Sequence, residues 1–555
     1  MARDPLGPVA LTDQHREQFL VDGYIELRPT SLTEADHEWF HDRATELYDL
    51  ARCTGSPTAH LDILGDNLRP AVPELDRLLT DPAVDGALTS LLGPGYVIHP
   101  HSYCHRSSDR DQIFHQDGNL PWNERGHYRS HRPDWAMLFY YPQDVDDRNG
   151  PTEVVAGSQY WTIDHETDDG GWHPGDRVDR TVDPEVFADD DLEERDRAQA
   201  EALSSGLAIP GLDRRVLRVP AGTVLLAHYD LFHRGSRVHG NPEPRYLYKF
   251  YAARVHPPHR RDDVEASPPP TSVRIRPTLA PIVAANRRWL RGTASDGDSS
   301  DGWAGVAPPP SRWEVDSLVR LLGHGREDER VAAAYRLGRA ASEGGPSGAE
   351  ALQGLESALT AESEGVRRAA GHGLRQAGAA GIPPLLRGLD HPSATTRRPA
   401  VAALGATAAA SSPEAIAALL GVVADDPDDL VRSNAAYSLG QVARSAEVDV
   451  APIVDALLAR LAPGAEPDNA FGAELTRSTV RQSAAFGLLQ ALANHAVGHD
   501  QLDRIVAGPL QDPDRYVQGL IAEGLARTPD LPRATREALV RYLIGRRWNP
   551  SPRPG

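Results

Sequence analysis

The pattern of apolar and polar positions divides the chain near residue 312. Before that point, short apolar runs alternate with clusters of Gly, Pro, Asn and Asp, which favours β-strands joined by turns. After it, apolar residues recur with the period of a helix, and alanine and leucine dominate. The strand-like runs lie at 96–103, 136–141, 153–156, 223–228 and 246–255. We therefore predict a mainly β region followed by an all-α region.

Two segments of the β-rich region have the spacing of amphipathic helices. Residues 33–49 form one, and Ser31 or Thr33 is placed to cap its start. Residues 75–92 form the other, which Gly93-Pro94-Gly95 should stop. We expect these helices to flank the strands.

A polar insertion at 162–218 separates the third predicted strand from the fourth, and it carries a helical acidic patch at 189–196. A long excursion between strands is often functional. Two interpretations remain open for it, a lid over a site and a solvated surface loop.

Residues 292–312 have the Gly, Ser, Asp and Pro content of a linker. Beyond it, a pattern close to Asp-x-x-Val-Arg-x-x-Ala-Ala-x-x-Leu-Gly recurs, and it resembles the short HEAT-like repeats. Repeats of this size indicate stacked helical hairpins. We predict an all-α solenoid over 313–549. Its six related segments are 329–338, 365–374, 396–405, 430–440, 479–488 and 516–525.

The composition is that of a globular, multidomain protein. The chain has 555 residues, 40% of them hydrophobic and 25% charged, which is too long for one core. A net charge of −21 is not the basic footprint of a nucleic-acid binder. Two cysteines, Cys53 and Cys104, exclude a disulfide framework and a thiolate zinc site. With no long apolar run and no signal-like start, we expect a cytoplasmic protein that uses neither membrane nor nucleic acid as a partner.

The sequence His115-Gln116-Asp117, followed by the distant His233, is the strongest chemical signal. In an extended segment the side chains at positions 115 and 117 share one face. Two imidazoles and one carboxylate are the set that holds non-haem Fe(II) while leaving positions open for a co-substrate and O2. Arg245, on the next predicted strand, is placed to grip a dicarboxylate. The combination indicates an oxygenase.

Four ordered blocks support this interpretation: 19–27, 149–161, 222–236 and 245–251. Together they resemble the phytanoyl-CoA dioxygenase family of Fe(II)/2-oxoglutarate oxygenases, over residues 10–291. The resemblance implies a double-stranded β-helix, or jelly roll, with flanking helices. It also implies Fe(II), 2-oxoglutarate and O2 as cofactor and co-substrates.

By this resemblance, His115, Asp117 and His233 are the iron ligands, and Arg245 pairs with the far carboxylate of 2-oxoglutarate. Ser236 is the expected second contact to that carboxylate. In the family a serine follows the distal histidine by two residues and the arginine follows it by eleven. Here the offsets are three and twelve, which one extra residue would explain.

Other residues near the motif receive weaker assignments. Gln116 is a candidate for the co-substrate region, although packing is the simpler role. Trp122 and Asn119, in the loop after the motif, are candidates for the substrate wall. His228, five residues before His233, is the competing ligand, but odd spacing along one strand would turn it to the opposite face.

We expect an enzyme that hydroxylates an unactivated C–H bond of a small-molecule, peptide-bound or carrier-bound substrate, in bacterial natural-product tailoring. One alternative is an inactive oxygenase fold that serves as an interaction scaffold. Another is a metal-dependent isomerase on a related barrel, which would not need Arg245. For the solenoid, the alternatives are binding a protein, peptide or tethered substrate, self-association, and packing against the oxygenase region.

Overall fold

A computed structural model describes residues 9–53, 63–64, 68–109, 111–112, 114–117, 130–162, 176–177, 197, 201, 212–240, 243–258, 275–292, 310–407, 412–466 and 479–545. Trp122 and Asn119, the acidic patch at 189–196 and almost all of the predicted linker lie outside these residues.

Within the described residues, the β-rich region is built of two antiparallel sheets. The first has six strands in the order β1-β9-β5-β11-β3-β2, and the second has five in the order β7-β4-β10-β6-β8. This is a double-stranded β-helix. The strands are β1 (Tyr24–Leu27), β2 (Ile63–Leu64), β3 (Val97–Arg106), β4 (His115–Gln116), β5 (Trp135–Tyr141), β6 (Thr152–Val155), β7 (Asp176–Arg177), β8 (Arg214–Leu217), β9 (Thr223–His228), β10 (His233–Gly235) and β11 (Tyr246–Ala253).

Alternation along the central strand β11 separates two cores. Tyr248 and Phe250 point outward and pack with Phe40, Leu88 and Tyr140 under the flanking helices. The other face points between the sheets, where Leu247 and Tyr251 join the interior cluster. The flanking helices are α1 (Asp13–Asp22), α2 (Glu34–Cys53), α3 (Leu75–Leu79), α4 (Pro82–Leu92) and α5 (Ala280–Leu290).

The helix predicted at 75–92 is two helices, because Asp81 interrupts it. Its Oδ1 accepts hydrogen bonds from the amides of Ala83 and Val84, so that Asp81 caps α4 with Pro82 in the first turn. The helix predicted at 33–49 runs on to Cys53. Thr33 caps it, since Thr33 Oγ1 accepts from the amide of Asp36.

The described residues between 312 and 545 form helices only, in two layers. The outer layer holds α6 (Arg312–His324), α8 (Gly345–Ala358), α10 (Ile382–Leu389), α12 (Pro413–Asp425), α14 (Ala451–Arg460), α16 (His499–Ala507) and α18 (Arg533–Gly545). The inner layer holds α7 (Glu327–Glu343), α9 (Glu364–Gln376), α11 (Ala394–Gly405), α13 (Asp429–Val442), α15 (Thr479–Asn494) and α17 (Arg515–Arg527). Each of the six repeat segments found in the sequence lies on one inner helix, and successive inner helices pack side by side. The repeats therefore build a solenoid.

Glycine and arginine in the repeat have distinct structural roles. A Cβ on Gly440 would lie 2.5 Å from the Cα of Gly487 on the next inner helix, so only glycine permits this close approach. The arginine after the repeat valine, a position that Thr396 takes in the third repeat, bridges to the following repeat. Arg432 binds Glu466 at 2.7 Å, and Arg397 binds Asp426 at 2.7 Å. The repeat pattern thus encodes both helix spacing and inter-repeat ion pairs.

The inner layer of the solenoid packs against one end of the six-stranded sheet. Trp135, at the start of β5, donates from Nε1 to the hydroxyl of Tyr437 at 3.1 Å, and its ring lies 4.9 Å from that of Phe486. Arg444 pairs with the buried Asp134 at 2.7 Å. The apolar core is continuous from the barrel interior into these helices. Of the interpretations proposed for the solenoid, the contacts agree with packing against the barrel.

In the described part of the chain, none of the helices is both long enough and apolar enough to cross a bilayer.

Candidate metal centre

His115 and His233 are brought together by strand pairing. They are direct partners in the antiparallel register of β4 and β10, at the middle of the five-stranded sheet. Directly opposite residues project from the same face of a sheet. Their rings are 4.5 Å apart, and both point between the two sheets. One pair of directly opposed strand residues therefore brings together two histidines that are more than a hundred positions apart in the sequence.

Asp117, two residues after His115, completes the cluster. Its Oδ1 lies 3.7 Å from Nε2 of His115 and 3.7 Å from Nε2 of His233. One donor atom from each residue falls within 4.8 Å of the others. Ligands bound to one ion through bonds of about 2.1 Å lie roughly 3 Å apart when they are adjacent. A small contraction of this cluster would accommodate one divalent cation.

A backbone contact sets the tautomer of His233. Its Nδ1 lies 3.0 Å from the carbonyl oxygen of Leu231, so Nδ1–H donates and Nε2 keeps its lone pair toward the cluster. This is the outer support that a metal-binding histidine usually has. Burial lowers the pKa of His233 well below its ordinary value, and the nearby Lys249 lowers it further. The imidazole is therefore neutral, the form that binds a metal.

The second oxygen of Asp117 is held by strand β11. Its Oδ2 lies 2.6 Å from Nζ of Lys249 and accepts from the hydroxyl of Tyr251 at 3.1 Å. Burial alone would raise the pKa of Asp117, but Lys249 and the two histidines lower it well below the usual range. Asp117 is thus an ionised carboxylate with one oxygen toward the imidazoles and one toward β11.

Arg245 is a buried cation whose guanidinium donates to a backbone carbonyl. Nε donates to the carbonyl oxygen of Gly150 at 2.6 Å, while Nη1 is buried with no hydrogen-bond partner among the described residues. Burial lowers the pKa of Arg245. Burying a charged guanidinium with an unpaired donor destabilises the folded state, unless an anion binds to it. Arg245 therefore has the character expected of an anion-binding residue.

The structure places Ser236 differently from the prediction. β10 pairs with β6 without a bulge, so no extra residue shifts the register, and Ser236 lies on the face opposite to His233. Its hydroxyl donates to Glu153 at 2.7 Å. The residue two positions after His233 is Gly235, and a Cβ there would lie 3.1 Å from Nη2 of Arg245. Gly235, and not Ser236, is next to the arginine.

The structure places two other candidate residues, Gln116 and His228, in contact with Asp230. Gln116 is buried and donates to the carbonyl oxygen of Asp230 at 2.6 Å, which is the packing role. His228, the competing ligand, accepts at Nδ1 from the amide of Asp230 and is not part of the cluster. Alternation along β9 turns His228 away from the interior. The odd spacing from His233 is not the reason, because His228 ends β9 in the six-stranded sheet and His233 begins β10 in the five-stranded sheet.

Sequence reasoning missed Lys249, Tyr251 and His105. The first two share the inward face of β11 with Arg245, since every second residue of a strand faces the same way. His105 pairs with Leu247 on the same face, and burial lowers its pKa to about 3. Counting in steps of two from Arg245 was the signal that could have found Lys249 and Tyr251.

Comparisons with known proteins match the helical repeats to a family profile and find distant solved structures. A profile of HEAT repeats matches residues 352–440 and 382–460. Three solved structures resemble the chain: the non-haem monooxygenase ThoJ in its apo form, EctD from S. alaskensis with bound Fe, and HygX from Streptomyces hygroscopicus with nickel and 2-oxoglutarate bound. No curated protein sequence matches.

The structural matches are distant. Identities are 17%, 18% and 19%, with TM-scores of 0.30, 0.30 and 0.29. The matches cover 43%, 45% and 46% of this chain and 76%, 82% and 91% of those chains. At these values the likeness carries no argument about chemistry, which rests on the geometry of the cluster.

Proposed function

We propose that residues 10–291 form a non-haem Fe(II)/2-oxoglutarate-dependent oxygenase of the phytanoyl-CoA dioxygenase type, and that 313–549 form a solenoid domain attached to it. One observation carries the proposal. Two imidazole nitrogens and one carboxylate oxygen converge within 4.8 Å inside a double-stranded β-helix that also buries Arg245.

The donor set fits Fe(II). Two neutral imidazoles and one carboxylate form a three-ligand set that leaves the remaining positions of a six-coordinate ion open. The histidines are fixed by the register of β4 and β10, and His233 is further fixed by Leu231.

The surroundings also fit a dicarboxylate co-substrate. Arg245 presents a buried Nη1 with no described partner, and its planar fork can meet a carboxylate bidentately. Gly235 leaves room beside it, because a side chain there would contact the guanidinium. We infer that Arg245 binds the far carboxylate of 2-oxoglutarate, with Gly235 in the place expected for a serine.

Bound Fe(II), with 2-oxoglutarate and O2, supplies the oxidising power for C–H hydroxylation. The residues of this chain position and shield that centre. His115, His233 and Asp117 hold the metal, and Arg245 orients the co-substrate. Phe139, whose ring lies 5.3 Å from that of His233, is buried and keeps water from this side of the site.

The substrate proposed is a small molecule, free or bound to a peptide or carrier, in bacterial natural-product tailoring within the cytoplasm. The packing of the inner helices against the barrel supports a structural role for the solenoid. Binding of a protein partner, or self-association, would then use the surface of the solenoid that does not contact the barrel.

Anaerobic addition of Fe(II) and 2-oxoglutarate tests the proposal. We expect the weak visible band of the metal–2-oxo acid chelate, and its loss in Asp117→Ala. Conversion of 2-oxoglutarate to succinate in air, screened against candidate substrates, tests the reaction itself. Absence of the chelate band in the wild-type protein would favour the inactive scaffold, and turnover that does not need O2 would favour an isomerase.

A further inference from the structure

Lys249 is the only lysine in the sequence, and it is buried beside the metal ligands. Its Nζ lies 2.6 Å from Oδ2 of Asp117 and 3.2 Å from Nε2 of His233. It also lies over the rings of Phe139, at 4.9 Å, and Tyr251, at 5.6 Å. An ammonium this close to two ligand atoms bears directly on how a cation binds there.

The two carboxylate oxygens of Asp117 have different contacts. Oδ2 is occupied by Lys249 and by the Tyr251 hydroxyl, whereas Oδ1 faces both imidazoles. A carboxylate held in this way offers one oxygen to a metal and is not free to chelate through both. Lys249 and Tyr251 are therefore positioning residues for Asp117.

Lys249 differs from Tyr251 in its charge. Like charges repel in proportion to their product, so an ammonium opposes a divalent cation twice as strongly as it would a monovalent one at the same distance. Burial weakens solvent screening of this repulsion. A supporting contact to a metal ligand typically accounts for about 10–100-fold in affinity, and we expect repulsion at such short range to outweigh that.

Binding of an anion would offset the excess positive charge around the cluster. Among the described groups that face the interior at the cluster, Asp117 is the anion, while Lys249 and Arg245 are cations. A divalent metal adds two positive charges, and a dianion such as 2-oxoglutarate removes two. The metal and the dianion should therefore strengthen each other's binding, and such coupling is reciprocal.

We propose that Lys249, beyond positioning Asp117, makes divalent-metal binding depend on the dianionic co-substrate, so that the two bind cooperatively. This inference rests on the proposed function, because it presumes a metal at the cluster and 2-oxoglutarate at Arg245. A purely structural lysine would have the opposite signature, since its removal would disorder Asp117 and weaken metal binding.

The test compares the wild-type protein with Lys249→Met and Tyr251→Phe by calorimetric titration with Ni(II), with and without 2-oxoglutarate. Lys249→Met keeps a long side chain and removes the charge. We expect it to bind Ni(II) alone at least about tenfold more tightly, and to reduce the strengthening by 2-oxoglutarate by about the same factor. Tyr251→Phe, which removes a neutral donor to the same oxygen, should weaken Ni(II) binding by about 10–100-fold, the opposite direction, and leave the strengthening by 2-oxoglutarate within about threefold of the wild type.

The outcomes separate the two proposals. If wild-type protein binds no Ni(II) even with 2-oxoglutarate, the proposed function fails and this inference fails with it. If wild-type protein binds both, but Lys249→Met binds Ni(II) no more tightly, the role of Lys249 is overturned while the oxygenase assignment stands.

A single lysine also permits a measurement on the unaltered chain. Protein labelled with ¹⁵N-lysine should give one side-chain ammonium resonance, because the buried Nζ is shielded from exchange with water. Saturation with Zn(II) and 2-oxoglutarate should shift this resonance, since Asp117 and His233 then also bind the metal. A resonance that stays in place on saturation would overturn the proposal without any variant.

Discussion

His115 and His233 are cross-strand neighbours with ring centroids 4.5 Å apart, although they come from strands far apart in sequence. Hydrogen bonding between β4 and β10 holds their backbones, so the approach of the two imidazoles is a property of the sheet. A site on rigid strands is set before any ligand arrives. Metal affinity should therefore respond to these side chains far more than to histidines elsewhere in the barrel.

Asp117→Ala should abolish tight metal binding. The substitution removes one of three donors and leaves the Lys249 ammonium beside the site without its carboxylate partner. Loss of an outer contact alone costs about 10–100-fold in metal affinity, so loss of a ligand should exceed 100-fold. Titration with Co(II), followed by its visible absorption, measures the effect.

His228→Asn is the matched control, since His228 is also buried and lies five residues from His233. It should keep Co(II) affinity within about threefold of the wild type, because it does not join the cluster. Equal losses in the two variants would show that the assignment of the ligands is wrong.

Arg245→Ala should weaken 2-oxoglutarate binding and leave metal binding without co-substrate nearly unchanged. A hydrogen bond to a charged group contributes about 1.5–3 kcal/mol, which corresponds to roughly 10–150-fold in affinity. Calorimetric titration with 2-oxoglutarate in the presence of Ni(II) measures this change in affinity. Arg218→Ala, which removes an exposed ion pair with Asp147, is the control and should have no effect. Unchanged 2-oxoglutarate affinity in Arg245→Ala would mean that the co-substrate binds elsewhere.

Much of the fold and of the candidate site could be predicted from periodicity alone. Alternation with a period of two placed His115 and Asp117 on one face, and it located the strand 223–228 with the bounds that the structure has. The helical period, with the recurring Val-Arg and Leu-Gly pairs, located all six inner helices. These features are local, so the sequence contains them directly.

What could not be predicted depends on contacts between distant segments. The position of Ser236 required knowing that β10 pairs with β6 without a bulge. The face of Lys249 could be counted from Arg245, but its contact with Asp117 arises only because β11 faces β4 across the barrel. The docking of the inner helices on Trp135 likewise depends on surfaces that no periodic pattern specifies.

Phe486→Ala should destabilise the whole protein, because this side chain joins the solenoid to the barrel. Its ring is fully buried between Trp135 and Tyr437, at 4.9 and 5.7 Å. Truncating a buried aromatic residue costs about 3–5 kcal/mol in the free energy of unfolding. Chemical denaturation measures this cost. Trp313→Ala, which removes an aromatic side chain that is 85% exposed, should change stability by less than about 0.5 kcal/mol.

The same contacts predict that removing residues 313–555 destabilises the remainder. The deletion would expose Trp135 and leave the buried Asp134 without Arg444. We expect the shortened chain to aggregate or to melt at a lower temperature, as measured by size-exclusion chromatography and thermal unfolding. A shortened chain as stable as the full-length protein would contradict the role assigned to this interface.

Acidic pH should loosen the contact between barrel and solenoid through His131 and His372. Their rings stack at 3.5 Å, and Nδ1 of His131 lies 3.0 Å from the hydroxyl of Tyr335. Burial lowers the pKa of both histidines well below 6.5, and His131 lowers the pKa of His372 further. The other titratable groups found to act on the pair among the described residues lower the two pKa values as well; they are His228, Arg132, Arg368 and Arg375.

The direction of this pH effect follows from the difference in bound protons between the unfolded and the folded chain. Below pH 6.5 the unfolded chain protonates both histidines, while the folded chain keeps them neutral, so stability is present above that pH and falls as the pH drops below it. Each histidine contributes up to about 1.4 kcal/mol per pH unit in this range. His372→Asn should therefore flatten the decline of unfolding free energy between about pH 6.5 and 5. His15→Asn, at an exposed position, should leave the slope as in the wild type, and equal slopes in all three proteins would show that the stacked pair is not the pH-sensitive element.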